Sequence, residues 1–493
     1  MPVLLPSRLE GQPVSEQWQA LKPSLPEFDV AIIGGGSAGY AAARTAAALG
    51  ASVVVSEGGK EVGGLCILRG CMPSKAFLES AHRWHDIQRA KTFGLVVQPV
   101  EVDMKAIQAR KRFLVDDFAG YRRQQLDKGK FTFIRGFASF LDGHTLLIER
   151  EGAQELLTAS TFIISTGSVI THVPIPGLWE AGCWTSDDAL EAETIPKRLA
   201  VLGGGVIAVE AGQFFSRVGS KTTLLQRSDH LVRGYDPDVG EELVRALRAE
   251  GMEVRTGVKL IDVEVTPEGK KIRYEQDRQP HELVVDEILY AMGRAPALKG
   301  LKLENADVAL LDGKLPVNAA LASSAAHIFG AGDVVGPHEV VHIAIQQGEI
   351  AARNAVNLVR GSHEIAEKID YRLKALVTFT DPEIASVGLT ETEAKREGIE
   401  FLAASFPFND LGKALIGGHE YGFVKLLAEK SRGEIIGAEI IGPRASDLIH
   451  ELIAVMRYRG TAAELAAMPH YHPTLAEIIT YPAEELAEKL ACD

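Results

Sequence analysis

Two of the chain's four cysteines, Cys66 and Cys71, lie five residues apart in the stretch GGLCILRGCMPSK. A cysteine at the start of a helix is biased towards its thiolate, because the unpaired backbone N–H groups and the macrodipole favour negative charge there. The residues CMPSKAFLESAHRWHDI read as such a helix, with Pro73 tolerated in its first turn and Lys75 adding a positive charge. Cys71 is therefore expected to be a reactive thiolate, with Cys66 its partner in a reversible disulfide that closes a small loop. Zinc is a rival use for such a pair, but it needs two further ligands at matching spacing. No second Cys or Cys/His cluster occurs in the sequence, so no metal is expected. Structural thiols are the third possibility. Cys183 and Cys492 stand alone and read as inert.

The elements that would position the thiols begin with FDVAIIGGGSAGYAAARTAAALGASVVVSEGG, which reads strand, glycine turn, helix, strand. Gly34, Gly36 and Gly39 fill a G-x-G-x-x-G pattern: a tight turn, a close approach to a pyrophosphate, and close helix–strand packing. Glu57 ends the second strand, where a carboxylate can accept hydrogen bonds from ribose hydroxyls. A glycine-rich turn without a ligand is the plain alternative. The pattern recurs in KRLAVLGGGVIAVEAGQFFSRVGSKTTLLQRSDHLVR, with Gly203, Gly205 and Ala208 as G-x-G-x-x-A and Glu210 one turn inside the helix. Here the position matching Glu57 is Gln226, followed by Arg227, with Arg233 nearby. A carboxylate would repel a 2′-phosphate and a guanidinium can grip one, so NADPH is favoured over NADH. Each arginine alone could equally be a solvated surface charge. Two dinucleotide units in one chain suggest electron transfer between two cofactors.

Composition narrows the class. The 493 residues suffice for about three domains, and no apolar run approaches the roughly 20 residues needed to span a bilayer. Lys and Arg number 52 against 66 Asp and Glu, a net charge of −14, which argues against nucleic acid or an anionic membrane as partner. Few cysteines and no secretory pattern at the start point to a reducing cytoplasm. The first 27 residues, rich in proline and polar side chains, read as an extension wrapping the surface or staying mobile.

With these motifs in view, the sequence resembles the class I pyridine nucleotide–disulfide oxidoreductases, the family of dihydrolipoyl dehydrogenase, glutathione reductase and mercuric reductase. The likeness runs over roughly residues 28 to 480. GGLCILRGCMPSK resembles the family's redox-disulfide motif, and HIFGAGDVVG its second FAD motif, where Asp333 would bond the ribitol. AMGRAPAL, with Gly293, looks like the strand returning from the NAD(P) domain, and PHYHPTLAEII lies in what resembles the dimerisation domain. The resemblance implies an α/β fold with two Rossmann-like three-layer domains and a C-terminal α+β dimerisation domain. The expected boundaries are an extension over 1–27, an FAD domain over 28–172 and 297–367, an NAD(P) domain over 173–296, and the interface domain over 368–493. Thr166 and Gly167 would lie at the cofactor near the exit from the first segment, and the charged helices between residues 80 and 123 would pack on the FAD domain.

The resemblance also implies roles. His472 would be the acid–base and Glu477 its orienter, acting on the disulfide of the other subunit, which makes an obligate homodimer. His470 would only pack or hydrogen-bond. Lys75 and Glu210 would pair beside the flavin. Electrons would move between nicotinamide, FAD, the Cys66–Cys71 disulfide and a small-molecule or lipoyl dithiol/disulfide. The H-x-H-P-T pattern and CMPSK favour a dihydrolipoyl dehydrogenase type, whereas Gln226-Arg227 favours an NADPH-driven reductase of another small disulfide. Arg44 sits where glutathione reductases place a substrate-binding arginine. Mercuric reductases end in an adjacent cysteine pair, and this chain ends EKLACD with Cys492 alone; Hg(II) is a further alternative. A non-catalytic flavin sensor or scaffold is the alternative of another class.

Overall fold

A computed structural model describes residues 3–4, 27–362 and 366–492, so almost all of the extension expected over 1–27 lies outside the described residues. The chain divides into two compact units. The first comprises Met1–Pro73, Phe113–Thr171 and Arg294–Asp370, and the second Ser74–Arg112, His172–Gly293 and Tyr371–Asp493.

The first unit is built on a parallel sheet in which Thr132–Arg135, Val53–Glu57, Phe28–Ile33, Ala153–Ile164 and Ile328–Gly330 lie side by side. Phe28–Ile33 and Val53–Glu57 are almost wholly buried, which explains why they read as unbroken apolar runs rather than alternating ones. The long strand Ala153–Ile164 also pairs antiparallel with Thr145–Arg150, which pairs with Phe137–Asp142. One face of the sheet carries the helices Ser37–Ala48 and Val341–Val359, packed so closely that a Cβ on Gly348 would lie 2.2 Å from the Ala38 carbonyl. Ser168–Ile170 and Arg294–Pro296, the two expected crossovers, pair antiparallel with each other.

The second unit holds two sheets that matter for function. A four-stranded parallel sheet runs in the order Glu253–Arg255, Lys221–Leu225, Arg198–Leu202, Glu287–Tyr290, with the helix Val206–Arg217 following its central strand. A five-stranded antiparallel sheet in the C-terminal segment runs Ala375–Thr378, Glu383–Gly388, Ile435–Gly442, Phe423–Glu429, Phe401–Pro407. The charged helices depart from expectation. Residues 74–112 belong to this second unit, because Phe77, Leu78, Ala81 and Met104 are buried in one cluster with Phe214 and Phe215. Phe77 stacks on Phe214 with ring centroids 4.6 Å apart. The apolar face of the helix, not its many charges, decides where it packs.

One buried cation organises the C-terminal part of this unit. Lys425 lies 2.9 Å from each of Asp236, Asp238 and Glu439, and neither its side chain nor those of Asp236 and Glu439 reach water appreciably. Burial alone would raise the Asp236 carboxyl, but hydrogen bonds from Lys425 and Thr392 override it and hold it down at about 2. Burial prevails at Glu439 and pushes it up to about 7 despite Lys425. Removing the cation leaves carboxylates buried without a counter-charge, so Lys425→Met is expected to cost about 3–5 kcal/mol of stability. Without the lysine, both carboxyls should titrate higher in the folded than in the unfolded chain, so the penalty should grow as pH rises from about 4 towards 7. Urea midpoints of the two proteins across that range measure this, and a pH-independent difference would contradict it.

Candidate active site

The cysteines sit on two successive helices rather than at the ends of an open loop. Cys66 is on the short helix Leu65–Arg69 and is half-buried, and Cys71 is the exposed first residue of the 19-residue helix Cys71–Arg89. Gly64 and Gly70 bound the short helix, so the small loop expected between the thiols is one helical turn with glycine ends. Gly64 has φ 76° and ψ 162°, a backbone region essentially reserved for glycine, and a Cβ there would lie 2.8 Å from Gly36 Cα. The thiol segment thus lies with its backbone directly against the first glycine turn.

That turn is built as its glycines suggest. A Cβ on Gly34 (φ 104°) would strike the Ser165 carbonyl at 2.5 Å, and one on Gly39 would strike the Gly34 carbonyl at 1.8 Å. Glu57 accepts the Gly35 N–H at 2.9 Å and the Gly59 N–H at 2.7 Å, each through one oxygen, leaving further lone pairs on both. Beside the turn, the Thr166 hydroxyl is buried and has no hydrogen-bond partner in the protein. Gly167 (φ 72°) has open space where a side chain would stand. Asp333 accepts the Ser168 hydroxyl at 2.8 Å, and Ser168 in turn accepts from Arg294 Nε at 2.8 Å. An orphaned hydroxyl, an open helix N-terminus and a carboxylate with spare lone pairs have the chemistry to hold a dinucleotide's pyrophosphate and ribose.

The second glycine turn is as tight. A Cβ on Gly203 (φ 120°) would lie 2.3 Å from the Ala291 carbonyl, whereas Gly205 and Gly293 (φ 116°) face open space. Gly205, Val206 and Ile207 are exposed at the helix mouth, while Ala208 is fully buried behind them. Gln226 packs against Gly204 and donates its amide to the Ser228 hydroxyl. Arg227 and Arg233 are exposed and carry no carboxylate partner among the described residues. One turn into the same helix, Glu210 is buried and receives Lys75 Nζ at 2.8 and 3.0 Å, together with the Phe379 backbone N–H at 2.8 Å. The ammonium also lies over the Phe379 ring, 4.7 Å from its centroid. Lys75 itself lies four residues after Cys71 on the thiol helix.

At the C-terminal end, His472 Nδ1 and Glu477 Oε1 are 2.8 Å apart, and the other Glu477 oxygen accepts the Thr474 N–H at 2.7 Å. The Thr474 N–H first, and His472 second, hold the Glu477 carboxyl below its ordinary value, so it stays ionised through the neutral range and fixes the imidazole's orientation. The His472 side chain is 82% exposed. His470, by contrast, is tied to Glu451 at 2.8 Å and to the Thr480 hydroxyl at 3.0 Å. Arg44 pairs with Glu349 at 2.8 Å, so its charge is already met.

Residues 28–348 match the family described as pyridine nucleotide-disulphide oxidoreductase, and residues 375–483 match the dimerisation domain of that family. The chain belongs to the pyridine nucleotide–disulphide oxidoreductases. It is 36% identical to a dihydrolipoyl dehydrogenase of Thermus scotoductus over 93% of this chain and 97% of that protein. It is 34% identical to one of Bacillus subtilis over 92% and 96% respectively. Among solved structures, the HOCl-induced flavoprotein disulfide reductase RclA from Escherichia coli superposes with a TM-score of 0.80 at 25% identity, over 92% of this chain and 99% of that one. As a pyridine nucleotide–disulphide oxidoreductase of the dihydrolipoyl dehydrogenase type, the protein is an enzyme that uses FAD and a pyridine nucleotide. No helix among the described residues is long and apolar enough to cross a membrane.

Some parts of this oxidoreductase's machinery carried no sequence signal. The Phe379 N–H that completes the Glu210 clamp is a backbone group in a segment distant in sequence, and no spacing announces it. Two groups of metal-ligating side chains among the described residues are close enough to hold a cation, His85–Glu250–Asp381 and the three carboxylates Asp236–Asp238–Glu439. Each already surrounds a protein cation, Arg217 and Lys425 respectively. The approach of Gly64 to Gly36 gives a direct test. Gly64→Ala should cost roughly 1–3 kcal/mol from backbone strain alone, with the clash against Gly36 adding to it. Gly152→Ala, also at φ 76° but facing open space, should cost clearly less. Thermal midpoints and bound-flavin content of the two variants decide it; equal losses would mean that the Gly64–Gly36 approach carries no weight.

Proposed function

We propose that Cys66 and Cys71 form the redox disulfide of an enzyme that moves two electrons between a pyridine nucleotide and a dithiol/disulfide, with a dihydrolipoyl group the favoured substrate. The observation that carries this reading is Cys71 as first residue of a 19-residue helix, four residues ahead of a lysine held by a buried glutamate. When bound against the first glycine turn, FAD supplies the exchange of an electron pair between nicotinamide and the thiols. Gly34, Gly36, Gly39, Glu57, Thr166, Gly167 and Asp333 would hold it, and Gly203, Gly205, Ala208 and Gly293 would hold the nicotinamide dinucleotide.

The chain's own residues account for the thiol chemistry. The helix N-terminus and Lys75 favour a Cys71 thiolate, while Glu210 fixes the Lys75 charge in place. In the reducing direction, Cys66 attacks one substrate sulfur as its thiolate; a mixed disulfide forms and the other substrate sulfur leaves. His472 of the partner subunit, oriented by its own Glu477, gives that leaving sulfur a proton. Cys71 then attacks Cys66 Sγ, releasing the second substrate thiol and closing the Cys66–Cys71 disulfide. Oxidation of a dithiol runs the same steps in reverse. A homodimer in a reducing cytoplasm, with each site completed by the other chain, is part of this reading.

Arg227 and Arg233 favour a second reading on the nucleotide side, because they place two exposed cations, neither paired with a carboxylate among the described residues, where a 2′-phosphate would fall. NADPH would then be the donor, and the enzyme would act as a reductase of a small disulfide. Anaerobic titration of the purified flavoprotein with NADPH and, separately, NADH tests both levels. A long-wavelength thiolate–flavin band is expected with NADPH at lower concentration, and Arg227→Glu should reverse the order. Rapid formation with NADH alone would remove the NADPH reading and leave the dehydrogenase. Cys66→Ser should keep the band and lose disulfide turnover, and full turnover in that variant would sink the thiol assignment. His472→Gln should lower disulfide turnover by roughly 10²–10⁴-fold without abolishing the band; a loss below tenfold would remove His472 from proton transfer.

A further inference from the structure

The segment joining the strands Ala375–Thr378 and Glu383–Gly388 lies along three successive positions of the second dinucleotide helix, Val206–Arg217. The Phe379 N–H reaches Glu210 Oε1 at 2.8 Å, the Asp381 backbone meets Gln213, and the Asp381 carboxylate meets Arg217 Nη2 at 2.8 Å. Glu210, Gln213 and Arg217 are spaced three and then four residues apart, so they share one face of that helix. Gln213 is the middle contact and is only 1% exposed. Its Oε1 accepts the Asp381 N–H at 2.8 Å and its Nε2 donates to the Asp381 carbonyl at 2.7 Å, so one side chain makes both bonds of a neighbouring strand. Arg217 holds only the end of the Asp381 side chain and has Glu250 as a second partner. Gln213 holds the backbone itself, two residues from Phe379.

Phe379 touches the Lys75–Glu210 pair twice. Its N–H bonds the glutamate, and its ring lies against the ammonium, 4.7 Å from centroid to Nζ. Lys75 stands four residues after Cys71, the spacing that makes helix side chains neighbours and leans the later one towards the earlier. We propose that Gln213 is a positioning residue of the thiol chemistry: by pinning the Asp381 backbone it sets Phe379 against the Lys75–Glu210 pair and so fixes the charge that favours the Cys71 thiolate. The inference rests on the reading of Cys71 as that thiolate, and Gln213 acts through Phe379 rather than on the thiol. Without the amide, the Asp381 N–H and carbonyl lose their partner and the Phe379 backbone is free to shift. Glu210 then keeps Lys75 alone, and an ammonium that wanders favours the thiolate less.

The holoenzyme carrying Cys66→Ser leaves Cys71 unable to form its disulfide and reports the thiolate as the long-wavelength flavin band; the pH midpoint of that band is the measurement. Lys75→Met in this background should move the midpoint up by roughly 1–3 pH units, the effect of losing an opposite charge beside an ionising group. Gln213→Met, close in volume and unable to bond either backbone group, should move it the same way by roughly 0.5–1 pH unit, a fraction of that effect. Ile272→Ala, at a fully buried position on the strand Gly269–Gln276, should lower the thermal midpoint and leave the band's midpoint where it was. In the wild type the Phe379 and Asp381 amides should be protected from hydrogen exchange, a measurement that needs no variant to fold. An unmoved midpoint in Gln213→Met or in Lys75→Met, an equal shift in Ile272→Ala, or unprotected Phe379 and Asp381 amides overturns the assignment and leaves the disulfide reading intact. Absence of the band at every pH from a flavin-loaded Cys66→Ser protein overturns the thiolate reading itself and this inference with it.

Discussion

The approach of the Gly64 backbone to Gly36 is the constraint on which the first unit's chemistry depends. Two chain segments meet there with no room for a Cβ between them, Gly64 in a conformation that other residues reach only with strain. One segment is the first glycine turn, which would hold the dinucleotide's pyrophosphate, and the other leads within two residues to Cys66. Thiol chemistry and dinucleotide binding are therefore not separate modules joined by a linker. The same close packing recurs where Gly39 meets the Gly34 carbonyl and where Gly348 meets Ala38, so helix, turn and neighbouring helix meet backbone to backbone.

The Lys75–Glu210 pair does the corresponding work on the thiol helix. Burying a carboxylate costs several kcal/mol unless its charge and lone pairs are met. Glu210 meets both demands with two contacts from Lys75 and one from the Phe379 N–H. The pair thus links three segments distant in sequence: the thiol helix, the second dinucleotide helix and the entry to the C-terminal sheet. Any rotation of the thiol helix would break the ion pair and expose an unpaired buried charge. The orientation of Cys71's helix is held by electrostatics as much as by the stacking of Phe77 on Phe214.

What the sequence made legible was local. Glycines with positive φ, a proline in a first helical turn, and an acid at the end of a strand each act within a few residues of themselves, so Gly34, Gly203, Cys71 and Glu57 could be placed from spacing alone. The pairings of Lys75 with Glu210 and His472 with Glu477 came from resemblance, since 135 residues separate the first pair and nothing in either segment specifies the other. The side on which residues 74–112 pack was misjudged because their charges dominate the composition, whereas Phe77, Leu78 and Ala81 supply the burial that decides packing. Lys425 and Arg122 were illegible for a related reason. Whether a cation is solvated, buried among carboxylates or buried without one depends on long-range packing that composition does not encode.

The three cations just contrasted show how differently the fold treats positive charge. Lys425 is surrounded by carboxylates and is structural. Lys75 is held by one carboxylate, four residues after Cys71 on the same helix, so its position is fixed. Arg122 lies over the Tyr40 ring, and its Nε and Nη1 have no hydrogen-bond partner among the described residues. His472 is the complement among acid–base groups: its orienting carboxylate is fixed by the Thr474 N–H, yet the imidazole itself is open to solvent. The dyad is thus preorganised on an open face, its carboxylate held ionised and fixed before any other group meets the ring.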